Sequence, residues 1–105
     1  MAFVNLANEP EILKECASIQ KLAMKNHRLL HIFVWWHAHT AEFEVEGYEL
    51  RADYLTKNKH EPIIREGIWL TDKAALSELK ALKSKLTDLI KKAKAQREEM
   101  EKCEA

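Results

Sequence analysis

The spacing of apolar residues changes along this chain, and each spacing predicts a different element. Over residues 9–28 apolar side chains recur every three or four positions, which predicts an amphipathic helix. Over 29–46 the period is two, which predicts strands. From Thr71 onward the three- and four-residue spacing returns, which predicts a long final helix. This order indicates an α+β fold with an N-terminal helix, an antiparallel meander of three or four strands, and a long C-terminal amphipathic helix.

The predicted strand at 29–39 is the most informative segment, because its two faces differ. Side chains of a strand point alternately to its two sides. One face is wholly apolar and suits a core: Leu30, Ile32, Val34, Trp36 and Ala38. The other face combines aromatic rings with imidazoles: His31, Phe33, Trp35, His37 and His39. A sheet covered by helices on one side needs only the first face for its core. The second face is then covered by a loop or by the long helix of the same chain, or it is a dimer or protein-partner surface, or it stacks bases or a flat ligand. We treat it as the candidate partner-binding surface.

The segment 41–46 predicts how the first two strands pair, because glutamates alternate there with apolar residues. A two-residue turn at His39-Thr40 would join the two apolar faces and set the glutamates opposite the aromatic face. The core pairs are then Trp36 with Phe43 and Val34 with Val45. Gly47 interrupts the alternation and predicts a tight turn or a bulge. Pro62 predicts an edge position for the strand region 61–70, whose register the pattern leaves open.

The final helix repeats apolar residues at the four-three spacing of a coiled-coil seam. About 30 residues span ~45 Å, which exceeds the width of a compact domain of this length. We therefore expect a homodimer through this seam, with folding back against residues 9–28 as the alternative. The dimer seam consists of Leu79, Leu82, Leu86 and Leu89.

A set of lysines on the same helix bears on the kind of partner. They recur at helical spacing: Lys80, Lys83, Lys91 and Lys94. Such a set is typical of a solvated helix flank, but it could also follow the phosphates of a single-stranded nucleic acid, whose bases would stack on the aromatic face. Lys plus Arg and Asp plus Glu both number 17, and this zero net charge argues against a general polyanion binder.

Length and composition indicate a single α+β domain spanning 1–105. We expect it in the cytoplasm, because the first residues lack the pattern of a signal peptide. Cys16 and Cys103 are expected to be free thiols, and Cys16 falls on the apolar stripe of the first helix.

The sequence offers little for catalysis or metal binding. His37 and His39 would share one strand face at a spacing that some zinc and copper sites use, but no second paired-ligand motif accompanies them. The glutamates of the second strand are expected to be solvated rather than catalytic. We therefore expect no enzyme activity, no metal and no cofactor. The alternative is a small-molecule or metal-binding protein that uses the His/Trp strand.

The junction Gly67-Ile-Trp-Leu-Thr-Asp-Lys73 ends the meander and starts the final helix. It resembles the strand-to-helix junction of the transcriptional coactivators of the positive cofactor 4 type. The resemblance implies a dimer with a four-stranded sheet, a C-terminal helix and single-stranded DNA binding. It covers about ten residues and the element order, while the first helix, the acidic strand and the zero net charge depart from that pattern.

Together these patterns predict a small non-enzymatic binding module that acts as a homodimer. Its partner is a protein or, second in order, a single-stranded nucleic acid. The aromatic and histidine face and the long C-terminal helix would engage it.

Overall fold

The computed structural model describes residues 5–6, 9–49 and 61–104, and it confirms the predicted α+β fold. Its elements are α1 (Pro10–Lys25), β1 (Leu30–His37), β2 (Glu42–Glu49), β3 (Ile64–Trp69) and α2 (Ala75–Glu104). The strands form an antiparallel meander in the order β1-β2-β3, so β2 is central. Pro62 precedes β3, which lies at an edge of the sheet that the described strands form, as predicted.

The register of β1 and β2 is the predicted one, but the loop between them is not. Trp36 pairs with Phe43 and Val34 pairs with Val45. The connection is a four-residue loop over 38–41, in which the Thr40 amide donates to the His37 carbonyl at 3.3 Å. His39-Thr40 lacks the Asn-Gly or Gly residues that a two-residue hairpin turn prefers. In the four-residue loop, Ala41 has a positive φ of 55°.

Gly47 lies inside β2, so the predicted turn or bulge at this position is wrong. It pairs with Ile32 of β1 and with Ile64 of β3. A Cβ at Gly47 would lie 2.8 Å from Cγ2 of Ile64, whereas the backbone does not have a positive φ. Glycine is therefore needed here for close packing between strands rather than for an unusual backbone conformation.

Both helices pack on one face of the sheet and enclose the core. The core consists of buried residues from α1, β2, β3, α2 and the turn after β3: Ile12, Ile19, Phe43, Val45, Ile68, Leu70, Ala75, Leu79, Leu82 and Leu86. Ile32 and Val34 of β1 are partly buried and pack against it. At the edge of this layer, Lys85 of α2 donates to the Glu66 carboxylate of β3. On the other flank of α2, Lys83 Nζ lies 3.9 Å from Glu15 Oε2 of α1.

The leucines of the predicted dimer seam are occupied within the chain itself. Leu79, Leu82 and Leu86 have no exposed surface, and Leu89 is half-buried. The fold-back alternative therefore describes α2, which packs against α1 and the sheet. A homodimer stays a prediction. With α2 packed on α1 and the sheet in this way, however, these leucine side chains are not available as the dimer interface.

Trp36 corrects a second expectation about the core. It forms one row across the sheet with Phe43 and Ile68. Phe43 and Ile68 are 4% and 3% exposed, whereas Trp36 is 49% exposed. The helices cover the β2 and β3 positions of this row but not its β1 end, so Trp36 faces the helix side without being buried, whereas Leu30 of the same strand is buried.

The molecule is elongated because α2 extends past the sheet. Its extents are 59 × 30 × 17 Å and its radius of gyration is 16.0 Å, against ~13 Å for a compact chain of this length. Beyond Ile90 the described side chains of α2 are mostly exposed, and Arg97 reaches back to donate to the Arg28 carbonyl at 3.4 Å. Neither described helix combines the length and the apolar character needed to cross a membrane.

Candidate functional site

The candidate site is the sheet face that points away from α1 and α2, which we call the outer face. Neither helix covers it, since both pack on the opposite side. Three strands contribute to it: His31, Phe33, Trp35 and His37 from β1, Glu42, Glu44, Glu46 and Tyr48 from β2, and Arg65, Gly67 and Trp69 from β3. Four of the five residues predicted for partner binding therefore lie on one surface.

Aromatic rings form the apolar part of the outer face. Phe33 and Trp35 stack with ring centroids 5.8 Å apart at an interplanar angle of 19°. Tyr48 meets Phe33 edge-on at 5.8 Å and 76°. Phe33, Trp35 and Trp69 are 40%, 39% and 50% exposed. Large aromatic surfaces left accessible beside polar groups are typical of contact sites.

The carboxylates between these rings form hydrogen bonds and ion pairs with neighbouring side chains. Glu44 Oε1 lies 3.0 Å from His37 Nε2. Glu46 Oε1 lies 3.0 Å from Arg65 Nε, and its Oε2 accepts a hydrogen bond from the Tyr48 hydroxyl at 2.8 Å. Because these contacts hold the carboxylates in place, the outer face presents an ordered acidic stripe between aromatic groups.

His39 does not belong to this surface. It lies in the exposed loop 38–41, so its imidazole is separated from the strand position of His37. His37 is itself paired with Glu44. Over the ranges 9–49 and 61–102, no three side chains of His, Cys, Asp or Glu come together in a group that could hold a metal ion.

The four lysines do share one flank of α2, but that flank is not next to the outer face. Lys80, Lys91 and Lys94 are exposed, and Lys83 faces Glu15 of α1. Because the lysines belong to the helix layer and the rings belong to the opposite side of the sheet, the structure does not bring them together. A nucleic-acid partner stays a prediction, but it would have to be bound without the rings and the lysines sharing one surface.

A cleft of about 500 Å³ lies between the starts of the two helices, away from the predicted site residues. Its lining is mixed: Glu9, Pro10, Glu11, Ile12, Leu70, Thr71, Asp72, Lys73 and Leu76. None of these residues belongs to the His/Trp strand. This cleft therefore does not support the alternative prediction, in which that strand binds a small molecule.

Cys16 is half-buried and free, and it packs against the core as predicted. Burial, together with the nearby Glu15 carboxylate, raises the pKa of its thiol from 9.0 to about 11. Such a thiol is almost entirely protonated at neutral pH and is a poor nucleophile.

We expect iodoacetamide at pH 8 to alkylate Cys16 on the order of 100-fold more slowly in the folded protein than in urea, since two pKa units mean a hundredfold smaller thiolate fraction. Peptide mass mapping separates Cys16 from Cys103. Equal rates in the folded and unfolded protein would contradict the assignment. Because the folded state holds the proton more tightly, this group also makes the fold less stable as the pH rises from 9 towards 11.

The sequence does not predict three side chains of the outer face: Tyr48, Arg65 and Trp69. The alternation resembles a break after Gly47, and the adjacent Ile63 and Ile64 leave the faces of β3 undefined. The signal that could have found them is the two-residue period that runs through Gly47, because a glycine at a core position leaves the strand's phase unchanged.

No family model, no curated protein and no solved structure matches this chain, so its function has to be inferred from its own geometry.

Proposed function

We propose that the protein is a non-enzymatic binding module whose outer face engages a protein partner. The observation that carries this proposal is the exposed aromatic surface of Phe33, Trp35 and Trp69 on the side of the sheet away from both helices. Tyr, Trp and Phe are enriched at protein interfaces, where a few of them supply most of the binding energy.

Charge favours a protein over a nucleic acid as the partner. The outer face carries Glu42, Glu44 and Glu46 against one arginine, Arg65, and the lysine flank lies in the other layer. A phosphate backbone would meet this acidic stripe at the place where its bases would have to stack. A protein surface with apolar groups flanked by basic side chains complements the same stripe.

The test compares exposed side chains on and off the outer face. We expect Trp35→Ala and Trp69→Ala to stay folded and to bind the partner at least ~30-fold more weakly, as truncation of a central aromatic anchor does. The matched control is Met100→Ala, which removes a similarly exposed apolar side chain from α2. Immobilised wild type and variants are incubated with extract of cells that express the protein, and retained proteins are quantified by mass spectrometry.

Proteins retained by wild type and Met100→Ala but lost from both tryptophan variants support the proposal, once a purified candidate reproduces the ranking. Retention that does not distinguish the variants contradicts it. A parallel titration with oligo-dT at two salt concentrations addresses the nucleic-acid alternative. Tight binding that weakens steeply with salt and is lost on Lys91→Glu would replace the proposed function with nucleic-acid binding.

A further inference from the structure

The edge of β1 lacks the features that keep edge strands from pairing. Its eight residues include no Asp, Glu, Lys, Arg, Pro or Gly. The other edge, β3, carries Arg65 and Glu66 and follows Pro62, which are common protections against pairing. Among the described residues, β1 pairs with β2 alone and presents its second edge to no other strand.

The flank of α1 above this edge is apolar and exposed as well. Glu15 faces Lys83 and so marks the side of α1 that points towards α2. At ~100° per residue, Leu13 and Met24 lie about 160–180° around the helix from Glu15. They are 46% and 68% exposed. Apolar side chains thus border the β1 edge in both the sheet layer and the helix layer.

We propose that this edge is the homodimer interface, in which β1 pairs antiparallel with β1 of a second copy about a two-fold axis at Val34. In antiparallel strands, directly opposite residues lie on the same face of the sheet. A two-fold axis through a residue therefore places outer-face residues of one copy opposite outer-face residues of the other, and the same holds for the helix face. On the outer face Phe33 then meets Trp35 of the partner subunit, and His31 meets His37 of the partner subunit. On the helix face Ile32 meets Trp36 of the partner subunit.

This pairing explains the exposure of Trp36 and provides self-complementary contacts from a strand that contains no Asp, Glu, Lys or Arg. It joins two meanders into one six-stranded sheet and stacks four aromatic rings, Phe33 and Trp35 from each chain, at its centre. The inference does not rest on the proposed role of the outer face. It is argued from the β1 edge and from Trp36 on the helix face, and Phe33 and Trp35 enter it through contacts between the two copies rather than with another partner.

The exposed apolar area at the β1 edge determines how tightly the dimer is expected to associate. Phe33, Trp35 and Trp36 leave on the order of 250–300 Å² exposed in each chain, so the rings supply about a third of a standard interface. Strand backbone, Leu13 and Met24 add to this. We therefore expect a dimer that dissociates in the micromolar range rather than a permanent one.

Sedimentation equilibrium from low-micromolar to several hundred micromolar protein tests the interface. Wild type should reach about twice its 12.2 kDa mass. Trp36→Lys should raise the dissociation constant at least ~100-fold, because symmetry removes the side chain twice. The matched control Trp69→Lys changes an equally exposed tryptophan on the other edge strand and should dimerise like wild type. Circular dichroism verifies that both variants are folded.

Cross-linking tests the position of the axis in a chain that carries Cys103→Ser. Val34→Cys should form an intermolecular disulfide, because a residue on the axis faces its own copy within bridging distance. Phe33→Cys should not, because it faces Trp35 of the partner subunit. A chain that stays monomeric throughout, a dimer that survives Trp36→Lys, or cross-linking of Phe33→Cys instead of Val34→Cys would overturn the proposal.

Discussion

Leu86→Ala is expected to lower the free energy of unfolding by ~2–5 kcal/mol, a large part of the ~5–10 kcal/mol that a domain of this size has. Leu86 has no exposed surface and lies in the core that α1, α2 and the sheet share. Truncation loses the transfer free energy of the removed carbons and leaves a cavity between packed layers. Urea unfolding followed by circular dichroism measures the change.

The matched control is Leu13→Ala, since Leu13 is also on a helix but is 46% exposed. In dilute protein it should change the free energy of unfolding by no more than ~0.5 kcal/mol. The two results distinguish a core position from an intermolecular seam. If Leu86→Ala kept the stability of wild type and only shifted the oligomeric state, the fold-back packing of α2 would be wrong.

Gly47→Ala is expected to destabilise the protein by ~1–3 kcal/mol through overpacking. The new Cβ would lie 2.8 Å from Cγ2 of Ile64, with Ile63 and Ile32 also within 4.0 Å. Cγ2 is attached directly to the β-carbon of Ile64, so it cannot move without shifting the strand or the rotamer. Thermal and urea unfolding of the variant measure this cost.

Gly67→Ala provides the comparison, because Gly67 also lies in a strand with an ordinary φ. Its new Cβ would meet the carboxylate end of Glu42, a flexible side chain that can rotate away. We expect stability within ~0.5 kcal/mol of wild type, or a gain of up to ~1 kcal/mol because the unfolded chain loses freedom. If Gly47→Ala and Gly67→Ala lowered the free energy of unfolding equally, Gly47 would not lie between the edge strands as described.

The sequence predicts the structure correctly where neighbouring segments constrain each other. β1 and β2 each have a clear period of two, and a short loop joins them, so a single register matches their faces. The alternation misleads at Gly47, where a missing side chain resembles a break in the pattern. Glycine is needed at position 47 because the residue packs between Ile32 and Ile64. Both contacts are made across strands rather than along the chain.

The candidate site was predicted in part for the same reason. Alternation placed Phe33 and Trp35 on one face and Trp36 on the other, and the structure has this arrangement. Alternation does not say how far a helix layer reaches, so the exposure of Trp36 could not be predicted. The separation of the lysines from the rings could not be predicted either. The spacing of the lysines shows that they share one flank of α2, but it does not show which element that flank faces.

By itself, the sequence determined the elements, the pairing of β1 with β2 and the composition of each face, because local periodicity and short connections govern them. The tertiary structure alone decided what covers each face. A seam such as Leu79, Leu82 and Leu86 is equally suited to a second chain or to its own sheet. The choice depends on where α2 lies relative to α1 and β3, and on the apolar area that each arrangement buries, which are long-range properties that no local spacing encodes.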